Sequence, residues 1–223
     1  MLRVGLTGDL GSGKTTVGKM LAARGAVVLS SDEMARALQQ PGQPVFSAIV
    51  KLFGPTVVAP DGKLDRRELS RLAFNGGRID ELNAIVHPAV LAEQARKIAA
   101  LGRANPKAIV VVESALMFTT KYTLDGQAWQ DRFDRIILVL ASSSHKLSRF
   151  VERMAQGRGI DNDERAALEA DARRRLAAQQ STDPNAATPA NGCLLIHNDG
   201  DLQFLEEQVA AIWPQLQPHA TAR

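Results

Sequence analysis

Short apolar runs alternate with segments whose apolar residues recur at helical spacing. The runs predict strands at Leu2–Thr7, Ala26–Leu29, Ala108–Val112, Arg135–Leu140 and Leu194–Ile196. Most of them are continuously apolar, as strands covered on both faces of a sheet must be. The first helix is predicted over Lys14–Arg24, with Gly25 as its stop. Strands that alternate with helices indicate an α/β fold with a five-stranded parallel sheet.

A long stretch without a strand pattern separates the second and third predicted strands. Helices are predicted there at Gln43–Phe53, Asp65–Phe74 and Arg78–Leu101, and Pro88 is expected to start or kink the last of them. A parallel crossover needs only about a dozen residues, so this one carries additional structure. We interpret residues 41–103 as a helical substrate-binding insert. An ordinary crossover without a binding role is the alternative.

An arginine-rich helical stretch follows the fourth predicted strand. It covers Ser144–Gln180 and is interrupted by Gly157 and Gly159. We predict a mobile lid and its following loop over residues 144–189, because arginines on a hinged flap can close over a nucleotide. Salt bridges at helical spacing and solvated surface positions are the alternative for most of these arginines.

The remaining segments form the predicted nucleotide-binding core, at residues 1–40, 104–143 and 190–214. A closing helix is predicted over Asp201–Trp213, with fraying after Pro214. The core and the insert together suit a chain of 223 residues.

Charge and composition limit the classes of molecule that this protein is expected to bind. The formal net charge is +3, from 27 Lys and Arg against 24 Asp and Glu, and only 4% of residues are aromatic. That balance argues against nucleic acid as the main partner and suits an anionic small molecule. The single cysteine, Cys193, permits no intrachain disulfide, and no apolar run reaches the about 20 residues of a membrane span. We expect a cytoplasmic protein without a membrane partner, and a monomer unless it self-associates weakly.

The strongest motif is a phosphate-binding loop between the first strand and the first helix. The segment Gly8-Asp9-Leu10-Gly11-Ser12-Gly13-Lys14-Thr15 fits the pattern G-x-x-x-x-G-K-[S/T] at every fixed position. The glycines let backbone N–H groups approach phosphate oxygens, and Lys14 is suited to the β- and γ-phosphates of ATP. The hydroxyl of Thr15 is suited to Mg²⁺, and Thr16 is next in line for the α-phosphate.

A carboxylate at the end of the second strand is the candidate for the acceptor side. Asp32 is suited to accept the proton of an attacking hydroxyl, since parallel strands end in the same crevice. The equally weighted alternative is that Ser31 or Asp32 caps a helix over Glu33–Leu38.

Three further positions have both a functional and a structural interpretation. Glu113, at the end of the third strand, either supports Mg²⁺ or is a surface carboxylate. His87 either meets a phosphate or adenine, or is structural. Among the arginines of the predicted lid, Arg149 and Arg175 are the candidates for contact with ATP.

The order and spacing of these motifs resemble the dephospho-coenzyme A kinase family over nearly the whole chain. The resemblance rests on Val4–Val17, Val28–Arg36, Phe53-Gly54, Asp61-Gly62, Asp65-Arg66-Arg67, His87-Pro88, Arg175–Gln179 and Ile196–Leu202. Where the family has an aspartate two residues before its general base, this chain has Ser30. The stretch Ala115–Thr119 also departs from the family pattern.

The resemblance implies a P-loop kinase that uses ATP and Mg²⁺ to phosphorylate the ribose 3′-hydroxyl of dephospho-coenzyme A. By the same resemblance, Asp32 is the general base, Arg149 is the lid arginine after the fourth strand, and the insert around His87 binds the acceptor. Thr7 and Leu116 lie in motifs assigned to the acceptor. Arg175 and Asn198 lie in motifs assigned to ATP, together with Gly8 and Gly11–Thr16.

Two other functions fit a P-loop. The first is a kinase for another small molecule, such as a nucleotide, shikimate or a sugar acid. The second is an ATP-binding switch that regulates a partner without transferring phosphate.

Overall fold

A computed structural model describes residues 1–118, 120–127, 129–157, 159–179 and 193–217. The predicted loop Ser181–Gly192 lies outside this part of the chain. The described residues fall into two compact units. The core unit comprises Met1–Leu29, Leu101–Lys121 and the described part of Gln127–Arg223, and the insert unit comprises Ser30–Ala100 and Tyr122–Gly126. Compactness does not assign a role, so the functional division given above stays a prediction.

One five-stranded parallel sheet forms the centre of the fold, as the alternating pattern predicts. Its strands are β1 (Leu2–Thr7), β2 (Val27–Ser30), β3 (Ile109–Glu113), β4 (Arg135–Leu140) and β5 (Cys193–His197). They are ordered β2-β3-β1-β4-β5. The register pairs Leu6 of β1 with Glu113 of β3 and with Ile137 of β4. The carboxyl ends of β1, β3, β4 and β5 therefore lie along one edge.

Helices of the core unit cover this sheet. They are α1 (Lys14–Ala23), α6 (Trp129–Arg132), α7 (Ser143–Ala155), α8 (Asn162–Gln179) and α9 (Leu202–Leu216). Fully buried aliphatic side chains from β1, α1, β4 and α9 share one apolar cluster, including Leu6, Leu21, Ile137 and Val209. The break between α7 and α8 falls at Gln156 and Gly157, both with positive φ, which confirms the predicted interruption.

The insert unit has an apolar cluster of its own. Its helices are α2 (Ser31–Leu38), α3 (Pro44–Phe53) and α4 (Arg66–Ser70), followed by a π-helical turn over Arg71–Asn75. The long helix α5 (Ile79–Ala104) begins in this unit. Ile49, Phe53, Val57 and Leu69 are among the buried members of the cluster. A helical insert was predicted here, and the structure contains one.

Of the two expectations for Pro88, a helix start is wrong, because Pro88 lies inside α5. A kink at Pro88 stays a prediction. Pro214 does not end the closing helix, since α9 continues to Leu216. A proline inside a helix removes one hydrogen bond to the preceding turn, and its ring crowds the carbonyl oxygen of that turn. Among the described helices, none combines the length and apolar character that a membrane crossing requires.

Candidate active site

Two glycines of the phosphate loop have backbone conformations and close neighbours that disfavour any larger residue. Gly11 and Gly13 have φ values of 74° and 99°, in the left-handed region that favours glycine. A Cβ on Gly11 would lie 2.3 Å from the carbonyl oxygen of Lys146, and one on Gly13 would lie 2.1 Å from Nδ2 of Asn198. The start of α7 and the end of β5 therefore pack directly against the loop backbone.

Asn198, just after β5, joins the loop to the predicted lid arginine. Its Nδ2 donates to the carbonyl oxygen of Ser12 at 2.8 Å, and the residue is only 5% exposed. Arg149 of α7 donates to the backbone oxygen of Asn198 at 2.9 Å and to its Oδ1 at 3.3 Å. The structure thus brings Arg149, Asn198 and the loop together. Asn198 reaches Arg149 and the loop with the same amide group.

Two lysines converge on Asp9, the second residue of the loop. Lys14 Nζ donates to the carbonyl oxygen of Asp9 at 2.9 Å, and Lys146 Nζ lies 2.5 Å from its carboxylate. Sequence reasoning considered the arginines of α7 and missed Lys146. Its spacing was the available signal, because Lys146 precedes Arg149 by three residues and so lies on the same helix face.

Glu113, the last residue of β3, meets Thr15 in the first turn of α1. The Thr15 hydroxyl donates to Glu113 Oε1 at 2.7 Å. A hydroxyl and a carboxylate are the oxygen ligands that Mg²⁺ accepts, and it commonly keeps several waters as well. These two residues therefore fit a magnesium site. Their contact favours the magnesium role of Glu113 over that of an isolated surface carboxylate.

A polar cluster fixes the start of α7 next to β5. Ser142 caps α7, because its side chain accepts a hydrogen bond from the backbone N–H of His145. Asp199 accepts from the Ser142 backbone N–H at 2.7 Å and contacts His145 Nδ1 at 2.9 Å. These bonds, led by the backbone N–H of Ser142, lower the pKa of Asp199 to about 2. The base of the predicted lid is thereby attached to the end of β5.

For three other predicted ATP or acceptor residues, Arg175, Thr7 and Leu116, the structure gives local contacts or exposure that do not decide their role. Arg175 pairs with Asp171 at 2.9 Å, and its guanidinium lies 5.7 Å from the ring centre of Phe150. Thr7 is buried at the end of β1, whereas Leu116 is exposed in the turn after β3. The predicted roles of these three residues stay predictions.

Ser12 and Thr16 have structural positions in the phosphate loop and at the start of α1. Ser12 is fully buried, and its hydroxyl has no hydrogen-bond partner among the described residues. Thr16 begins the hydrogen-bonding of α1, since its backbone N–H donates to the Gly13 carbonyl at 3.0 Å. No side chain in the described part of the chain caps α1 at Gly13. The N-terminal end of α1 therefore has no side-chain cap within the described ranges. Such a helix end is suited to binding a phosphate through its backbone N–H groups.

In the insert unit, the alternative role of Asp32 as a helix cap is wrong. Ser30 is the N-cap of α2, and its Oγ accepts from the Glu33 backbone N–H at 3.3 Å. Ser31 instead accepts a hydrogen bond from Gln94 at 2.8 Å. Asp32 lies exposed in the first turn of α2. Ser30 therefore starts α2, and the Asp32 side chain is not used as its cap.

His87 has an aromatic neighbour in the insert unit. The rings of His87 and Tyr122 are 5.0 Å apart, at an interplanar angle of 52°. Tyr122 belongs to Tyr122–Gly126, a short segment after β3 that joins this unit. The contact orients the imidazole and is compatible with either interpretation of His87.

The sequence model of one protein family, described as dephospho-CoA kinase, matches residues 2–203. The chain belongs to the dephospho-CoA kinase family. It is 36% identical to the dephospho-CoA kinase of Moorella thermoacetica, over 98% of this chain and 94% of the relative. It is 34% identical to that of Thermobifida fusca over the whole of both chains.

Two solved structures share the fold of this chain. The crystal structure of a Thermus thermophilus protein matches with a TM-score of 0.69 and 26% identity, covering 97% of this chain and 98% of the other. Dephospho-CoA kinase from Campylobacter jejuni matches with a TM-score of 0.59 and 16% identity, over 96% of each chain. The second likeness shows the shared fold.

Proposed function

We propose that this protein transfers the γ-phosphoryl group of ATP to the ribose 3′-hydroxyl of dephospho-CoA, giving CoA and ADP. The observation that carries this proposal is the family match over residues 2–203, on a chain whose phosphate loop is complete. The arrangement around Asn198 and Arg149 supports it, because it places a cation and the loop backbone in one network.

On the nucleotide side, the backbone of Gly8 and Gly11–Thr16 binds the phosphates of ATP. Lys14 and Arg149 offset the negative charge that spreads over the transferring phosphoryl group. Arg175 is a second lid cation for ATP, and Asn198 acts by holding Arg149 against the loop. Thr15 and Glu113 would hold Mg²⁺, which would neutralise part of the phosphate charge.

On the acceptor side, Asp32 is the general base. Its carboxylate takes the proton of the 3′-hydroxyl as that oxygen bonds to the γ-phosphorus, and the bond from the γ-phosphorus to the bridging oxygen of ADP breaks. His87 and Leu116 contact the acceptor, and Thr7 supports the acceptor side of the loop. The location in the cytoplasm and the monomeric state stay predictions from the sequence.

An acceptor panel tests the reaction. ADP release is measured with Mg-ATP and dephospho-CoA, adenosine monophosphate, shikimate or gluconate, for the unaltered protein and for Asp32→Asn. The matched control is Glu33→Gln, a neighbouring exposed carboxylate in the same turn of α2. We expect turnover with dephospho-CoA that falls about 100-fold or more in Asp32→Asn and persists in Glu33→Gln.

The other results have distinct meanings. Turnover with another acceptor alone would replace dephospho-CoA as the substrate within the same kinase fold. ATP binding without turnover on any acceptor would favour the regulatory switch. Equal losses in Asp32→Asn and Glu33→Gln would remove Asp32 from the role of base.

A further inference from the structure

The insert unit contains a cavity of about 440 Å³ beside the C-terminal end of α2. Its polar lining comes from Gln39, Lys63, Arg66 and Asp61, and its apolar lining includes Pro60 and Leu64. All of these residues belong to the insert unit. The cavity is therefore a property of that unit alone.

Arg66 is the unusual member of this lining. Its guanidinium donates to Gln39 Oε1 at 2.7 Å, and Gln39 is itself only 8% exposed. Within the described residues, Arg66 forms no ion pair with a carboxylate. Partial loss of water contact and the nearby charge of Arg36 lower the pKa of Arg66. A cation bonded to a neutral amide and repelled by a second cation is in a setting that an anion would stabilise.

The one carboxylate in the lining does not neutralise Arg66. Asp61 accepts from the Lys63 backbone N–H at 3.0 Å, and its carboxylate lies 3.4 Å from Lys63 Nζ. These contacts lower the pKa of Asp61, so it is ionised and matched to Lys63. Arg66 is partly exposed to solvent, and it alone among the cations of the lining has no carboxylate partner in the described residues. The cavity therefore places one guanidinium without an ion pair beside an apolar wall at Pro60 and Leu64.

We propose that this cavity binds the diphosphate of the acceptor, with Arg66 as its main ligand. Arginine presents paired N–H groups that match two oxygens of one phosphate. Pro60 and Leu64 give the uncharged part of the acceptor next to the diphosphate a surface to pack on. The assignment rests on dephospho-CoA, a diphosphate ester, being the acceptor under the proposed function. Arg66 is then a specificity-determining residue for diphosphate-bearing acceptors.

Arg66→Gln tests this proposal against Arg67→Gln. The two arginines are adjacent in α4, both substitutions remove one positive charge, and only Arg66 lines the cavity. We expect Arg66→Gln to raise the KM for dephospho-CoA by roughly 10- to 100-fold, the effect of one charge-assisted contact to phosphate. The KM for ATP should not change. Arg67→Gln should match the unaltered protein in both constants, and circular dichroism confirms that each variant is folded.

A second measurement does not depend on catalysis. Inorganic pyrophosphate is titrated calorimetrically into the full chain carrying Lys14→Gln, which weakens the competing phosphate loop. Binding should be detected there, be lost when Arg66→Gln is added, and persist when Arg67→Gln is added. Equal pyrophosphate affinities in the two double variants would overturn the proposal, as would equal KM values for dephospho-CoA in the two single variants.

The two measurements separate the proposals from each other. If the unaltered protein does not turn over dephospho-CoA, the proposed function fails, and the pyrophosphate titration alone decides the anion site. If it does turn over dephospho-CoA and Arg66→Gln behaves like Arg67→Gln, the proposed function stands and the anion site fails.

Discussion

Replacing Asn198 with alanine should weaken both the fold and the binding of ATP. The Asn198 amide is the only group in the described chain that contacts both the Ser12 carbonyl and the Arg149 guanidinium. Alanine removes both side-chain contacts. Arg149 keeps its bond to the backbone oxygen of residue 198, because that oxygen is present in every variant.

The expected loss of folding stability depends on how buried each lost hydrogen bond is. The bond from Nδ2 to Ser12 is short, at 2.8 Å, and lies in a buried site, so removing its donor costs about 1–3 kcal/mol. The bond from Arg149 to Oδ1 is longer, at 3.3 Å, and partly exposed, so it adds at most about 0.5 kcal/mol. A loss of about 2 kcal/mol lowers the Tm of a chain this long by about 4–8 °C.

Thermal unfolding and nucleotide titration check this prediction. We expect the Kd for ATP to rise about tenfold, because Arg149 and the loop lose a shared anchor. Asn105→Ala is the matched control: Asn105 is exposed, and its side chain accepts one bond in a surface turn, from the Lys107 N–H at 3.1 Å. That change should cost within about 0.5 kcal/mol.

Asn198→Asp sharpens the test. It keeps the shape of the side chain but puts a carboxylate oxygen against the Ser12 carbonyl in place of a donor. We therefore expect Asp to destabilise the fold at least as much as Ala does. An Asn198→Asp protein with unchanged Tm and ATP affinity would refute the bonding described here. So would an Asn198→Ala protein that matches Asn105→Ala.

Three other substitutions give distinct outcomes. Glu113→Gln should raise the Mg²⁺ concentration needed for half-maximal activity without a large change in Tm, which a magnesium titration of the kinase assay measures. Gly11→Ala should abolish ATP binding and lower the Tm, since its Cβ would lie 2.3 Å from the Lys146 carbonyl at a φ of 74°; calorimetric titration of ATP checks this. Asp199 has a folded pKa of about 2, below its ordinary value of 3.8, so its ionised form stabilises the fold above pH 4. Asp199→Asn should therefore lower the Tm at pH 6, and the difference in Tm should close as the pH falls from 4 to 2.

The strands and the phosphate loop were predictable because their signals are local. Each buried parallel strand is a short apolar run, and the loop fits a pattern with four fixed positions. The start of α2 was not predictable in the same way. Ser30, Ser31 and Asp32 are all good caps, and the choice depends on where β2 ends. Ser30 is the last residue of β2 and has extended backbone, so it becomes the cap.

Contacts between segments that are distant in the sequence could not be predicted from the pattern of apolar and polar residues. The ion pair of Lys146 with Asp9 joins α7, the helix that follows β4, to the phosphate loop that follows β1. These two segments meet because β4 lies next to β1 in the sheet. Periodicity identifies strands but does not order them, so the helical spacing of Lys146 and Arg149 could not reveal that Lys146 pairs with Asp9.

The strand order explains why the groups proposed for ATP are assembled within one unit. The phosphate loop follows β1, Glu113 ends β3, α7 follows β4 and Asn198 follows β5, so one sheet edge positions all of them. Asp32, His87 and Arg66 belong to a second unit with its own apolar cluster. If each unit folds around its own apolar cluster, a substitution should affect mainly the substrate that its own unit binds. Changes near Asn198 should act mainly on the KM for ATP, and changes near Arg66 mainly on the KM for the acceptor. Asp32 should differ from both, because a general base affects kcat more than either KM.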